Sequence, residues 1–307
     1  MNLSSKFWPQ QFPYPQWYLD AVSGSTAWDY VLVKGGDGEP RGLLPFQIRN
    51  RSGIRYLGAP PMSPRLGPYI YWQEQQHEWQ KLRFLQDTLR QLDEALPKAH
   101  YYKVAWPYDL TYGLPWQQIG WQQRTRYSYV LPLEPTVDEL FSAFRPTLRN
   151  RIRKAKTHLT IESTNDWQVV DRLMGLVFRH RAVRNQLSTE MLGRLYEAAQ
   201  LHKAVKLWVA KDAQQRPHAA LWLHYDATCA YNLLPASDPT LRHSGAVALL
   251  LWHAIQWSKA EGLTHFDFEG SHLPGVEPFF RSFGAEAWPY YEFVKGKKWL
   301  LALNQLR

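Results

Sequence analysis

Apolar and polar positions change period several times along the chain, and each change marks an element. Trp28 to Val33 and Gly42 to Ile48 are β-rich runs on either side of Gly35-Gly36-Asp37-Gly38, which predicts a hairpin. Tyr56 to Tyr71 is an irregular Pro/Gly loop that enters a third strand. From Trp79 to Leu96 the spacing lengthens: Leu82, Phe84, Leu85, Leu89 and Leu92 line one side of an amphipathic helix. Tyr101 to Ala105 reads as a strand, Trp106 to Asp109 as a loop, and Tyr127 to Leu133 as a strand behind Gly120-Trp121.

The second half repeats this order. Lys206 to Ala210, Ala219 to Tyr225 and Tyr231 to Pro235 are predicted strands, with Asp212 to Pro217 as a turn. Ala246 to Ala260 is a helix that Gly262 closes, and Thr264 to Phe268 is the next strand. A Gly/Pro corner comes next, then a last strand from Trp288 to Val294. The repeat is one of pattern rather than identity, and it predicts two similar α/β domains, residues 1–135 and 136–307. At the junction Thr136 and Glu139 form a capping box, and Pro146 suits the first turn of a further helix. In that helix Leu148, Ile152, Ala155 and Leu159 share one face, while Arg149, Arg153 and Lys156 share another. Asp166 to Phe178 and Ser188 to Ala199 read as two more helices, with the basic run 179–184 between them.

Composition narrows the class. With 307 residues, 45% hydrophobic and 21% charged, the chain is globular and long enough for two ordinary domains. A single cysteine, Cys229, excludes an internal disulfide framework, and its strand context reads as buried filler. Met1 to Lys6 has no apolar core like that of a secretory signal, and the apolar run Ala246 to Trp252 is too short to span a bilayer. The expectation is a soluble, cytoplasmic protein. A formal charge of +9 points to an anionic partner: phosphate, nucleic acid or a lipid surface.

Several residue groups can carry chemistry. Asp267 and Glu269 stand two apart at the end of a predicted strand, which places both on one face. Either could act as a base or hold an amine, or simply cap the next turn. His272 lies beyond them in the Gly/Pro loop, and Phe280 sits in the apolar half-turn after it. Arginines one helical turn apart, Arg149 and Arg153, suit phosphate oxygens, with Lys156 a further step along; the alternative is a solvated helix face. Arg242, Gly245 and Ala246 open the long helix, where free backbone N–H groups bind anions. Tyr225 and Tyr231 flank the adjoining turn and are candidates to line a cleft. The histidines show no zinc-motif spacing, so no metal is expected. No P-loop, dinucleotide fingerprint or Gly-x-Ser-x-Gly appears, and no zinc-finger or helix-turn-helix signature, so no DNA is expected.

Three stretches carry a family resemblance. Leu148-Arg149-Asn150-Arg151-Ile152-Arg153-Lys154-Ala155, then Phe266-Asp267-Phe268-Glu269-Gly270-Ser271, and Gly275 through Phe279-Phe280-Arg281-Ser282-Phe283-Gly284 resemble the FemAB-like branch of the GNAT acyltransferases. The nearest module is the BioF2-like acetyltransferase domain. Pro60-Pro61 through Leu66-Gly67-Pro68-Tyr69 is similar to the first-half loop of that group. The resemblance implies two tandem GNAT-like domains, each a mixed, mostly antiparallel sheet flanked by helices. It also implies transfer of an acyl or aminoacyl group to an amine. The donor would be acyl-CoA, or an aminoacyl-tRNA as in Fem ligases, whose acceptor is a peptidoglycan precursor bearing a diphosphate. By this analogy Arg149 and Arg153 hold a phosphate, and Arg242 with Gly245 meets the donor. The chain departs from the group in two ways. Val247 stands where the GNAT pyrophosphate motif ends in Gly or Ala, and 166–201 holds only two ordinary helices in place of a long coiled-coil arm. A non-enzymatic polyanion binder on the same fold is the rival reading.

Overall fold

The computed structural model describes residues 14–24, 27–73, 77–180, 187–270 and 275–305. It begins with α1 (Gln16–Ser23), β1 (Trp28–Lys34), β2 (Pro40–Arg51), β3 (Ile54–Gly58) and β4 (Tyr69–Ile70). Next come α2 (Glu78–Ala95), β5 (Tyr101–Ala105), α3 (Leu114–Gln118) and β6 (Gln122–Pro132). The middle of the chain forms α4 (Val137–Ala143), α5 (Pro146–Lys156), β7 (Thr160–Ser163), α6 (Gln168–His180) and α7 (Thr189–Leu201). After these come β8 (Val205–Lys211), β9 (Pro217–Tyr225), β10 (Cys229–Ser237) and α8 (Ala246–Ala260). The chain closes with β11 (His265–Asp267), α9 (Glu277–Arg281), β12 (Glu286–Gly296) and α10 (Lys298–Gln305). Contacts divide it into two compact units, 1–126 with 289–307, and 127–288. Each is a mixed, mostly antiparallel sheet flanked by helices.

In the first unit the strand order is β1-β2-β3-β5-β12, with β4 on β2. The hairpin turn forms where glycines allow it: Gly38 has φ +80, and Gly35 N–H donates to the Glu39 carbonyl at 2.8 Å. α2 buries Phe84, Leu85, Leu89 and Leu92 of the stripe its period predicts and leaves Leu82 half-buried. Its C-terminal half also receives two indole N–H groups, Trp116 to the Leu89 carbonyl and Trp121 to Asp93, so both buried rings keep a polar partner. Phe293 on β12 packs against Trp106 and Trp116, which ties the last strand into this core. β3 and β5 run parallel for Tyr56↔Tyr101 and Leu57↔Tyr102 and then separate. The chain's own segment 59–68 occupies the flank of β5 beyond that point: Gly67 N–H donates to the Ala105 carbonyl, Leu66 is buried, and buried Arg65 lies on the Tyr108 ring.

In the second unit the order is β6-β11-β10-β9-β8-β7. Only β10 and β11 are parallel among these neighbours. One face carries the main core, built by α8, by Leu148, Ile152 and Ala155 of α5, and by Leu140 and Phe144 beside α4. The predicted stripe holds for Leu148, Ile152 and Ala155, which must face the core to leave water, while Leu159 is buried just beyond the end of the helix. The capping box at Thr136 and Glu139 is formed, with both reciprocal hydrogen bonds. α6 packs over β9 and β10 on the opposite face, and α7 sets Tyr196 edge-on against Trp222. No described helix is long and apolar enough to cross a membrane.

Candidate active site

The second unit has a fork in its sheet. β10 and β11 pair in parallel through Cys229↔His265, Ala230↔Phe266 and Tyr231↔Asp267, and there β11 ends. β10 continues to Ser237 along β9, with a bulge between Asn232 and Leu234. From Asn232 onward, its β11-side edge has no strand partner among the described residues. An unpaired edge inside a sheet is a ready template for an extended ligand. In the first unit, the corresponding flank beyond the parallel pair is taken by segment 59–68.

The turn after Asp267 opens the fork. The Asp267 carboxylate, 1% exposed, accepts the Ser128 hydroxyl at 2.6 Å and the Glu269 N–H at 2.8 Å. Glu269 then takes φ +61 and Gly270 φ +53, which turns the chain away from β10. A side chain at Gly270 is excluded, since a Cβ there would lie 2.6 Å from the Tyr127 carbonyl. The shared face that strand periodicity predicts for Asp267 and Glu269 is therefore not formed: alternation stops at Asp267, and Glu269 belongs to a left-handed turn. Asp267 caps that turn, and Glu269 is half-buried beside the fork. His272 lies outside the described residues.

Asn232 stands at the vertex, 2% exposed. Its Nδ2 donates to the Phe268 carbonyl at 3.4 Å, bridging the strands where their backbone ladder ends. Nearby, Tyr129 donates to Glu277 at 2.6 Å, and Glu277 also pairs with Arg281. Burial and that hydrogen bond push the Tyr129 hydroxyl up to about 12. Neither Asn232, Ser128 nor Tyr129 is singled out by sequence. Ser128 and Asp267 are 139 positions apart, and no local pattern couples them.

Beyond β10 the chain passes through a tight 3-10 turn at Arg242–Ser244 and enters α8 at Gly245, whose φ is +79. Ser244 Oγ accepts the Ala246 N–H at 3.4 Å, so the first N–H of α8 has a partner, and Arg242 is exposed beside it. The glycine serves helix packing rather than open approach to its Cα: a Cβ there would meet Arg151 Cγ at 2.9 Å and the Arg151 carbonyl at 3.2 Å. Ala246 is buried as the first residue of α8. This packing brings Arg151 of α5 next to the start of α8.

Among the described residues, the cations of α5 and Arg145 before it have no acidic partners. Among the described residues, no salt bridge includes Arg145, Arg149, Arg151, Arg153, Lys154 or Lys156. Arg149 Nε is buried without a hydrogen-bond partner among them. Arg153 rests on the Phe141 ring at 5.4 Å and donates to Asn150, and Lys156 is exposed at the helix end. The three expected cleft residues have other neighbours. Tyr225 stacks edge-on with Trp257, Phe280 is buried against Phe268, and Tyr231 donates to Asp226 at 2.8 Å.

A cavity of about 850 Å³ lies on the α6 face, where Arg172, Leu176 and Arg179 look toward Arg216, Asp238 and Thr240. Asp238 is held below the usual carboxylate range mainly by its bonds to Thr240. Among the described residues, no group of His, Cys, Asp and Glu has the makings of a metal site.

This architecture is a GNAT-like fold, repeated in the two units. Residues 142–281 match the family described as acetyltransferase (GNAT) domain. No curated protein matches the chain. Its structure is similar to the crystal structure of FemX, at 14% identity and a TM-score of 0.65, with 90% of each chain covered. It is also similar to L-PGS from Bacillus licheniformis, at 12% identity and a TM-score of 0.54, covering 93% of each chain. A tandem GNAT protein from the clavulanic acid biosynthesis pathway matches at 10% identity and a TM-score of 0.55, over 89% of this chain and 83% of that one. The domain match and these folds together support the GNAT superfamily.

Proposed function

We propose that the chain is an N-acyltransferase that moves an acyl or aminoacyl group from an activated donor onto an amine. The observation that carries this reading is the fork between β10 and β11 in the second unit. An extended donor arm lies along the unpaired edge of β10, and backbone N–H groups at the bulge receive the carbonyl oxygen as it gains charge. The donor's phosphates meet the start of α8, Arg242 and Arg151. Glu269 anchors the amine, and Asp267 holds the turn that keeps the fork open. Proximity does most of the work in such a site. The acceptor enters from the cavity beside α6, whose arginines suit a phosphate-bearing or carboxylate-bearing molecule such as a cell-envelope precursor. The chemistry runs in the cytoplasm, where such donors are made.

Acyl-CoA is the first choice of donor. The cations of α5, without acidic partners among the described residues, favour a second reading, transfer from an aminoacyl-tRNA, with Arg149, Arg153 and Lys156 on the RNA backbone. Native mass spectrometry of the protein purified from its own cell tests both. Retained CoA or acyl-CoA is the expected result, and retained tRNA moves the assignment to the second reading. A preparation that binds polyanions with steep salt dependence, yet shows no thermal shift with acetyl-CoA and carries no acyl donor, overturns enzymatic function.

A further inference from the structure

Asn232 has a feature that its bridging role does not use. Its Nδ2 is committed to the Phe268 carbonyl, which fixes the orientation of the amide and leaves Oδ1 on the other side. That oxygen is buried and has no hydrogen-bond partner among the described residues. The residue is 2% exposed, so solvent does not compensate it. A buried carbonyl oxygen left in this state is destabilising, because its lost hydration is not replaced. The neighbouring positions obey the opposite rule. Asp267 and Ser128 at the same vertex satisfy each other at 2.6 Å, and Tyr129 and Glu277 do likewise. The bulge beside Asn232 is the point where the register of β10 with β9 shifts, one residue beyond the last pair with β11. An unsatisfied acceptor at that vertex is suited to an N–H group arriving along the unpaired edge.

We infer that Asn232 Oδ1 is a specificity-determining acceptor for an N–H group on the donor bound in the fork. This rests on the acyltransferase reading above. Asn232 is a positioning residue: it selects donors that carry an N–H near the reacting carbonyl and fixes their depth in the fork. Two sources have that chemistry. One is an amide N–H in the arm of an acyl-CoA; the other is the α-ammonium of an aminoacyl group. A donor without such an N–H leaves the oxygen unsatisfied and binds more weakly.

The test uses the full chain and two probes, acetyl-CoA and an aminoacyl-adenosine amide that mimics a charged tRNA end. Affinities are measured by calorimetry for the wild type, Asn232→Leu and Asn232→Asp, and each ligand-free protein is melted as a folding control. Leucine matches the size and removes the acceptor; aspartate retains an oxygen in its place. For whichever probe the wild type binds, Asn232→Leu is expected to lose about tenfold in affinity, and Asn232→Asp to stay within about threefold. The probe affected identifies the source of the N–H. Equal binding by wild type and Asn232→Leu overturns the inference while leaving the acyltransferase reading intact. So does an equal loss in both variants, which assigns the effect to the tie with Phe268. If Asn232→Leu does not fold, Asn232→Asp decides, and a tenfold loss there overturns the inference. A wild type that binds neither probe removes the donor site itself.

Discussion

Asp267 and Glu269 are neighbours in sequence with different physical situations, and substitutions separate them. Asp267 is buried and accepts two hydrogen bonds that shape the backbone. Both contacts fall on Oδ1, so Asp267→Asn can keep that oxygen in place but turns the buried Oδ2 into an amide donor, and we expect a loss of about 1–3 kcal/mol in urea unfolding together with reduced turnover. Glu269→Gln is expected to leave the unfolding midpoint within about 0.5 kcal/mol, the usual range for changes away from the core, and to lower turnover by about a hundredfold. Wild-type turnover in both variants removes the pair from the site. For the basic face, Arg149→Ala and Arg153→Ala are each expected to lower the salt slope of RNA binding by about one, if RNA is the donor. Unchanged slopes make that face a solvated surface.

At the scale of elements, α5 is the clearest case of sequence dictating structure. Its apolar stripe, its Pro146 start and its cationic face are all visible as spacing, because a helix repeats its faces within four residues. The fork is the opposite case. β11 is only three residues long, and its limits depend on Ser128, on the left-handed turn at Glu269 and Gly270, and on the bulge in β10. The short elements α1, α3, α9, α10 and β7 are not singled out either, since too few residues establish a period. The contact of α5 with α8 makes a further prediction. Gly245→Ala places a methyl group against Arg151 and Ala155 and forces an L residue to φ +79, so a loss of about 2–4 kcal/mol is expected by chemical denaturation. Loss of donor affinity should accompany it, because the helix start shifts with the repacking. A Gly245→Ala protein as stable as wild type refutes the packing account.

For the molecule as a whole, pH dependence has a definite sign. Burial pulls His224 down to about 4 from its ordinary 6.5. Between those values the unfolded chain takes up a proton that the native state refuses. Stability is therefore complete above about pH 6.5 and falls as pH drops toward 4, by on the order of 3 kcal/mol. His253, also lowered by burial, adds to the same fall. In the first unit, burial by itself raises Glu292, but Lys103 and Arg126 outweigh it and hold the carboxyl below its usual range. Its contribution has the same sign and is lost at lower pH, as the carboxylate is protonated. Urea midpoints at pH 7.5, 6 and 5 measure the histidine part, and His224→Gln should flatten the curve over that window. A wild-type midpoint independent of pH from 7.5 to 5 contradicts the assignment.

The sequence alone determines the elements that repeat: the helical stripes, the hairpin, the tandem order of the two halves and the concentration of positive charge in α5. These depend on neighbours a few residues apart, so local periodicity exposes them. Tertiary structure alone decides where the chain opens. The last strand joins the first unit through Phe293, segment 59–68 lies along β5, and among the described residues β10 is left without a strand partner on its β11 side beyond Tyr231. It also decides which polar groups find partners, satisfying Asp267 with a serine from a distant strand and leaving Asn232 Oδ1 unmatched. Hydrogen bonds between segments from 36 to 139 positions apart set that outcome, and such pairings leave no period in the sequence.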